Sequence, residues 1–93
     1  MRKIERQMNR AIATGSNWAG GNTQVITHNN GVSEVFLHGN HIARCYGLEV
    51  DVDIATLSNW PTVTTKSRLR ALGVNLTQTK GRIFIDGEFV CEA

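Results

Sequence analysis

Ninety-three residues fit one domain with a modest core. With 41% hydrophobic and 19% charged residues the chain has the composition of an ordinary folded protein, and its formal charge of +2 excludes a strongly acidic DNA mimic and argues against binding DNA by bulk charge. No run approaches the roughly 18 apolar residues that span a bilayer, and no apolar signal segment follows the N-terminal cations, so neither membrane insertion nor export is expected.

Nine glycines and a single proline predict many tight turns, which favours strands over long helices. Arg2 to Thr14 reads as an amphipathic helix. Ile4, Met8, Ala11 and Ile12 recur at helical spacing, Arg2, Lys3, Arg6 and Arg10 cover the rest, and Gly15 is the stop. Ser16 to Asn22 is turn-rich, with Trp18 as its one bulky anchor.

Three strands are predicted next. Thr23 to His28 ends at the turn signal Asn29-Asn30-Gly31. Ser33 to His38 places Val35 and Leu37 on one face and Glu34 and Phe36 on the other. Gly39-Asn40 then forms a two-residue connection into His41 to Tyr46. Leu48 to Ile54 alternates most cleanly, with Leu48, Val50, Val52 and Ile54 on one side and Glu49, Asp51 and Asp53 on the other. That pattern predicts a fourth strand with one wet, acidic face.

A second helix is expected from about Thr65 to Leu72, capped by Thr64 or Thr65, ended by Gly73, buried through Leu69 and Leu72, and with Val63 packing ahead of the cap. Arg82 to Ile85, the turn Asp86-Gly87 and Glu88 to Cys91 form a terminal hairpin. The predicted fold class is α+β: a small antiparallel sheet, meander plus C-terminal hairpin, with two short helices packed on one face of a single domain spanning residues 1–93. Ser-Asn-Trp occurs twice, at residues 16–18 and 58–60, which is too short to argue duplication.

Few residue patterns carry chemistry. Cys45 and Cys91 form no CxxC motif and read as buried free thiols. His28, His38 and His41, with Cys45, do not have the spacing of a structural zinc site, although His38 and His41 flank a turn and can oppose one another across it. A cysteine–histidine dyad lacks any local feature that would activate the thiol. Asp51 and Asp53 lie about 7 Å apart on one strand face, which a solvated surface explains. Trp18 and Trp60 each follow Ser-Asn in turn-like segments. Each can plug the end of the core or stand out as an interface anchor or base-stacking platform, and the plug is the simpler reading.

The segment Trp60 to Gly73 stands out from the rest. It joins a rigid aromatic entry and a hydroxyl-rich helix start to three cations, Lys66, Arg68 and Arg70. A helix start offers free N–H groups and a positive dipole end, so Thr64, Thr65, Lys66, Arg68 and Arg70 together suit an anion or an acidic partner. No GxxxxGK[ST] frame precedes Lys66, so a nucleotide P-loop is excluded. The plainer alternative is a solvated helix face.

Val35-Phe36-Leu37-His38-Gly39-Asn40-His41-Ile42-Ala43, followed by Trp60, Thr62, Thr64-Thr65-Lys66-Ser67-Arg68-Leu69 and Ala71-Leu72, resembles a family of small tailed-bacteriophage proteins described as a domain of unknown function. The resemblance extends from the short N-terminal helix leading to Asn22-Thr23 to the terminal apolar hairpin. It implies a protein made inside an infected bacterium. The acidic strand Glu49 to Asp53 departs from the shorter link usual in that family, and no catalytic residue is carried over.

The expected activity is therefore binding without catalysis or cofactor, in the host bacterial cytoplasm. The partner would be a host protein or protein–nucleic-acid complex, such as a defence nuclease complex or the transcription machinery, redirected or blocked by occlusion. Trp60, Thr64, Thr65, Lys66, Arg68 and Arg70, with Arg6 and Arg10 of the first helix, are the expected contact residues. The alternative is direct DNA or RNA binding, with cations on phosphates and a tryptophan stacked on a base. Homodimerisation through edge strands or helices is a further expectation.

Overall fold

The computed structural model describes residues 1–93. Helix α1 (Lys3–Thr14) is followed by a five-stranded antiparallel meander, β1 (Trp18–Gly20), β2 (Thr23–Thr27), β3 (Ser33–Leu37), β4 (Asn40–Tyr46) and β5 (Glu49–Val52), in sequence order. Two helices come next, α2 (Ile54–Asn59) and α3 (Val63–Ala71). A second antiparallel sheet closes the chain with β6 (Leu76–Thr79), β7 (Arg82–Ile85) and β8 (Glu88–Glu92). The α+β class holds, with the strands divided between two sheets. No helix is long and apolar enough to cross a membrane.

One core joins the layers. Val25, Val35, Leu37, Ala43 and Cys45 form the inner face of the large sheet, and Met8, Ala11, Leu57 and Leu69 come from the helices. Leu76, Ile83 and Cys91 enter from the small sheet. The alternation of β3 is as expected, with Val35 and Leu37 buried and Glu34 and Phe36 on the other face. Trp18 takes the plug position. It packs against the core, and its indole lies so close to Gly20 that a Cβ there would sit 2.4 Å from the ring.

Several local expectations need correction. The turn between β3 and β4 is His38-Gly39, with both residues at positive φ (51° and 78°), and Asn40 already belongs to the strand. That is the twist a two-residue hairpin demands. His41 therefore lies opposite Phe36, and His38 sits in the turn, so the two histidines do not face one another. Ile42 is the extra residue of a bulge against β3, and on its other side its carbonyl accepts the Asp53 amide at 2.9 Å, in line with the β4–β5 register.

The acidic strand is shorter than its alternation suggests. Val50 and Val52 are half-buried and Glu49 and Asp51 exposed, but Leu48 is fully exposed in the preceding turn and Ile54 lies outside the core. Asp53 ends the strand because its carboxylate accepts the Thr56 amide at 3.0 Å and so starts α2. The cap of α3 is Thr62, whose hydroxyl oxygen accepts the Thr65 amide at 3.1 Å, so neither Thr64 nor Thr65 is the cap. Val63, expected to pack ahead of the cap, is instead the first residue of the helix and 71% exposed.

Candidate functional site

The three cations of α3 have three different fates. Thr65, Arg68 and Leu69 share the helix face turned to the core, at spacings of three and four residues. Arg68 is 3% exposed. Its Nη1 donates to the Glu5 carboxylate at 2.9 Å, its Nε to the Thr23 hydroxyl at 3.0 Å and its Nη2 to the Asn22 side-chain oxygen at 3.4 Å. It is a structural cation that ties α3 to α1 and β2, and its expected place on the binding surface is wrong. A buried arginine needs this many acceptors because each unpaired N–H would keep its desolvation cost.

Glu5 is the matching residue that sequence reasoning missed. Burial raises its carboxyl, but the Ser67 hydroxyl, the Arg2 amide and Arg68 outweigh burial and leave it below the usual carboxylate range. Its three-residue spacing to Met8, on the apolar side of α1, was the available signal. Lys66 donates to Gln78 across to β6. Arg70 stays exposed while its Nε donates to the Leu76 carbonyl at 3.0 Å. Thr65 is buried, and Thr64 is half-buried.

Residues 63, 67 and 70 form the other face of α3. Val63, Ser67 and Arg70 line an open groove against Met1, Arg2 and Glu5 of the N-terminal segment. Met1 (70% exposed), Val63 (71%) and Trp60 (55%) bring large apolar groups to the start of α3. Trp60 thus does not plug the core, unlike Trp18. Arg2 and Arg70 line the groove together with Met1 and Val63. Lys3, Arg6 and Arg10 continue the positive charge along the outer face of α1, where they line a shallow groove with Gln7. Among all lysines and arginines only Arg44 and Arg68 are in ion pairs, so this row of cations has no internal counter-charge.

A cavity of about 290 Å³ opens beside Trp60. Its walls come from the β3–β4 hairpin (Leu37, His38, Asn40, Ile42), the first turn of α2 (Thr56) and the entry to α3 (Trp60, Thr62, Thr65). The two segments that carry the phage resemblance therefore meet here, although they are distant in sequence. His38 is held at the rim by its own amide, which donates to the Asn22 carbonyl at 2.8 Å.

The remaining titratable groups form a network on the outer face of the large sheet. His28 pairs with Glu34 at 3.2 Å, Arg44 with Glu34 at 3.1 Å, and His41 Nδ1 donates to Asp53 at 2.9 Å. These contacts, His28 first for Glu34 and His41 first for Asp53, hold both carboxyls below their ordinary range. No three His, Cys, Asp or Glu side chains are arranged to hold a metal ion. Burial pushes the thiols of Cys45 and Cys91 up, the direction opposite to an activated nucleophile.

A family model described as Kyanoviridae Gp96 protein matches residues 1–92. The chain belongs to that family of phage proteins. No curated protein and no solved structure matches it. Membership in the Kyanoviridae Gp96 family agrees with the phage resemblance read from the two motifs, and it assigns no activity to any of the residues above.

Proposed function

We propose that this member of the Kyanoviridae Gp96 family is a non-enzymatic binding protein that acts in the host bacterial cytoplasm. It attaches to an acidic surface of a host macromolecular complex and blocks or redirects that complex by occlusion. The observation that carries the reading is the surface at the start of α3. Val63 and Met1 are each more than half exposed beside Arg2 and Arg70, and Trp60, also more than half exposed, precedes α3 in the chain. Tryptophan and arginine are the residue types that dominate binding energy, and exposed apolar groups ringed by polar ones mark interaction sites. Lys3, Arg6 and Arg10 extend the same face and would speed encounter with an acidic partner.

Affinity purification of the tagged protein from infected host cells, with nuclease treatment and mass spectrometry, tests this. The expected result is a nuclease-resistant host protein that the double variant Val63→Glu/Arg70→Glu no longer retains. Recovery of nucleic acid alone would contradict it.

The row Lys3, Arg6 and Arg10 also favours a second reading, direct contact with nucleic-acid phosphates. Gel-shift titration would then show affinity falling steeply with salt, with a shallower slope after Arg6→Ala and Arg10→Ala. No shift at low salt would remove this reading.

A further inference from the structure

The cavity beside Trp60 has a composition that the docking surface does not explain. It is walled by residues from both sheet and helix, Leu37 and Ile42 are buried in its floor (4% and 2% exposed), and no lysine, arginine, aspartate or glutamate lines it. At about 290 Å³ it lies at the lower limit of small-ligand sites, near 300 Å³, so it has room for one ring system and little more. The Trp60 indole, 55% exposed, offers a flat wall.

The polar groups narrow the occupant further. The exposed carboxamide of Asn40 presents a donor and an acceptor in one plane. The His38 imidazole is engaged only by a 3.5 Å contact with Asn22. An all-carbon ring, such as a phenylalanine side chain, would cover these groups and leave them unpaired. An uncharged heterocycle with donors and acceptors around its edge would satisfy them while stacking on the indole. Asparagine paired to a base edge and tryptophan stacked on a base face are the corresponding modes of nucleobase recognition.

We infer that the cavity bounded by Trp60, His38, Asn40, Leu37 and Ile42 is a nucleobase-binding site. The base stacks on Trp60, and Asn40 pairs with its edge. It comes either from a free nucleoside or from a nucleotide splayed out of a single strand, since the cavity meets only the ring. The site goes beyond the protein-docking reading and stands without it. Trp60 and Asn40 line the cavity and Val63 lines the groove against α1, so variants of Asn40 and Val63 separate the claims.

Titration of the full chain with adenosine, guanosine, cytidine and uridine, and separately with a single-stranded oligonucleotide of about ten residues, tests the inference by nuclear magnetic resonance. The Asn40 carboxamide and Trp60 indole N–H signals should shift and saturate with at least one nucleoside or with the strand. Saturation by nucleosides identifies a free base as sufficient, and saturation by the strand alone identifies a polymer as the source. Asn40→Ala and Trp60→Ala, each checked for a folded spectrum, should weaken binding about tenfold, and Trp60→Phe should recover part of it. The inference is overturned if neither probe moves these signals, or if both alanine variants bind as tightly as the wild type. It is also overturned if p-cresol or 3-methylindole, mimics of aromatic side chains, saturate the site while nucleosides and strand do not.

Discussion

Without the Arg68 guanidinium, the Glu5 carboxylate would stay buried with only the Ser67 hydroxyl and the Arg2 amide as partners. Removing one partner of a buried pair costs about 3–5 kcal/mol, so Arg68→Ala should lower stability by that order in a urea denaturation experiment. Val63→Ser should change it by less than about 0.5 kcal/mol, because Val63 is largely in solvent. Equal losses from the two substitutions would contradict the assigned roles. Acid should weaken the fold through Glu5, Glu34 and Asp53, whose carboxyls all lie below their unfolded values of about 4. A lowered folded value means that the stabilisation is complete above the unfolded pKa and is lost as pH falls through the folded one. The urea midpoint should therefore drop below about pH 4, and Glu5→Gln, measured against wild type, should flatten part of that decline.

At the scale of elements, the positions of the caps decide where the helices lie. Asp53→Ala removes the acceptor for the Thr56 amide and Thr62→Ala that for the Thr65 amide. Each should cost about 0.5–2 kcal/mol, whereas Thr64→Ala should cost much less because Thr64 caps nothing. Thermal unfolding of the three variants checks this order. The same residues explain what the sequence made legible. The amphipathic period of α1, the strand alternation of β3 and the Asp86-Gly87 hairpin were readable because local pattern and tertiary burial agree there. The run Leu48 to Ile54 hid the start of α2, since Asp53 continues a strand alternation while its carboxylate serves as a helix cap. Three threonines within four residues hid which one caps α3. Lys80-Gly81, both at positive φ, joins β6 to β7 in a hairpin that the pattern of Leu76 to Thr79 did not reveal.

The whole molecule has its charge sorted by role. Arg68 and Glu5 pair inside, Arg44, His28 and His41 pair with Glu34 and Asp53 on the outer sheet face, and the cations of α1 with Arg70 have no carboxylate partner. From the sequence, Lys66, Arg68 and Arg70 looked like one cluster, because the spacing within a helix does not say which residue turns inward. The partner of Arg68 lies 63 positions away in the chain, beyond any local pattern. Trp60 was identified, but the grouping of Met1, Arg2 and Val63 was not, since it depends on how α1 and α3 pack. Site-specific photo-cross-linking in infected host cells tests the surface most directly, with the cross-linker placed at Val63 and, as a control, at exposed Lys80 on the turn between β6 and β7. A discrete adduct between position 63 and a host protein is expected, and none from position 80. Adducts of equal yield from both positions, or no protein adduct from position 63, would contradict it.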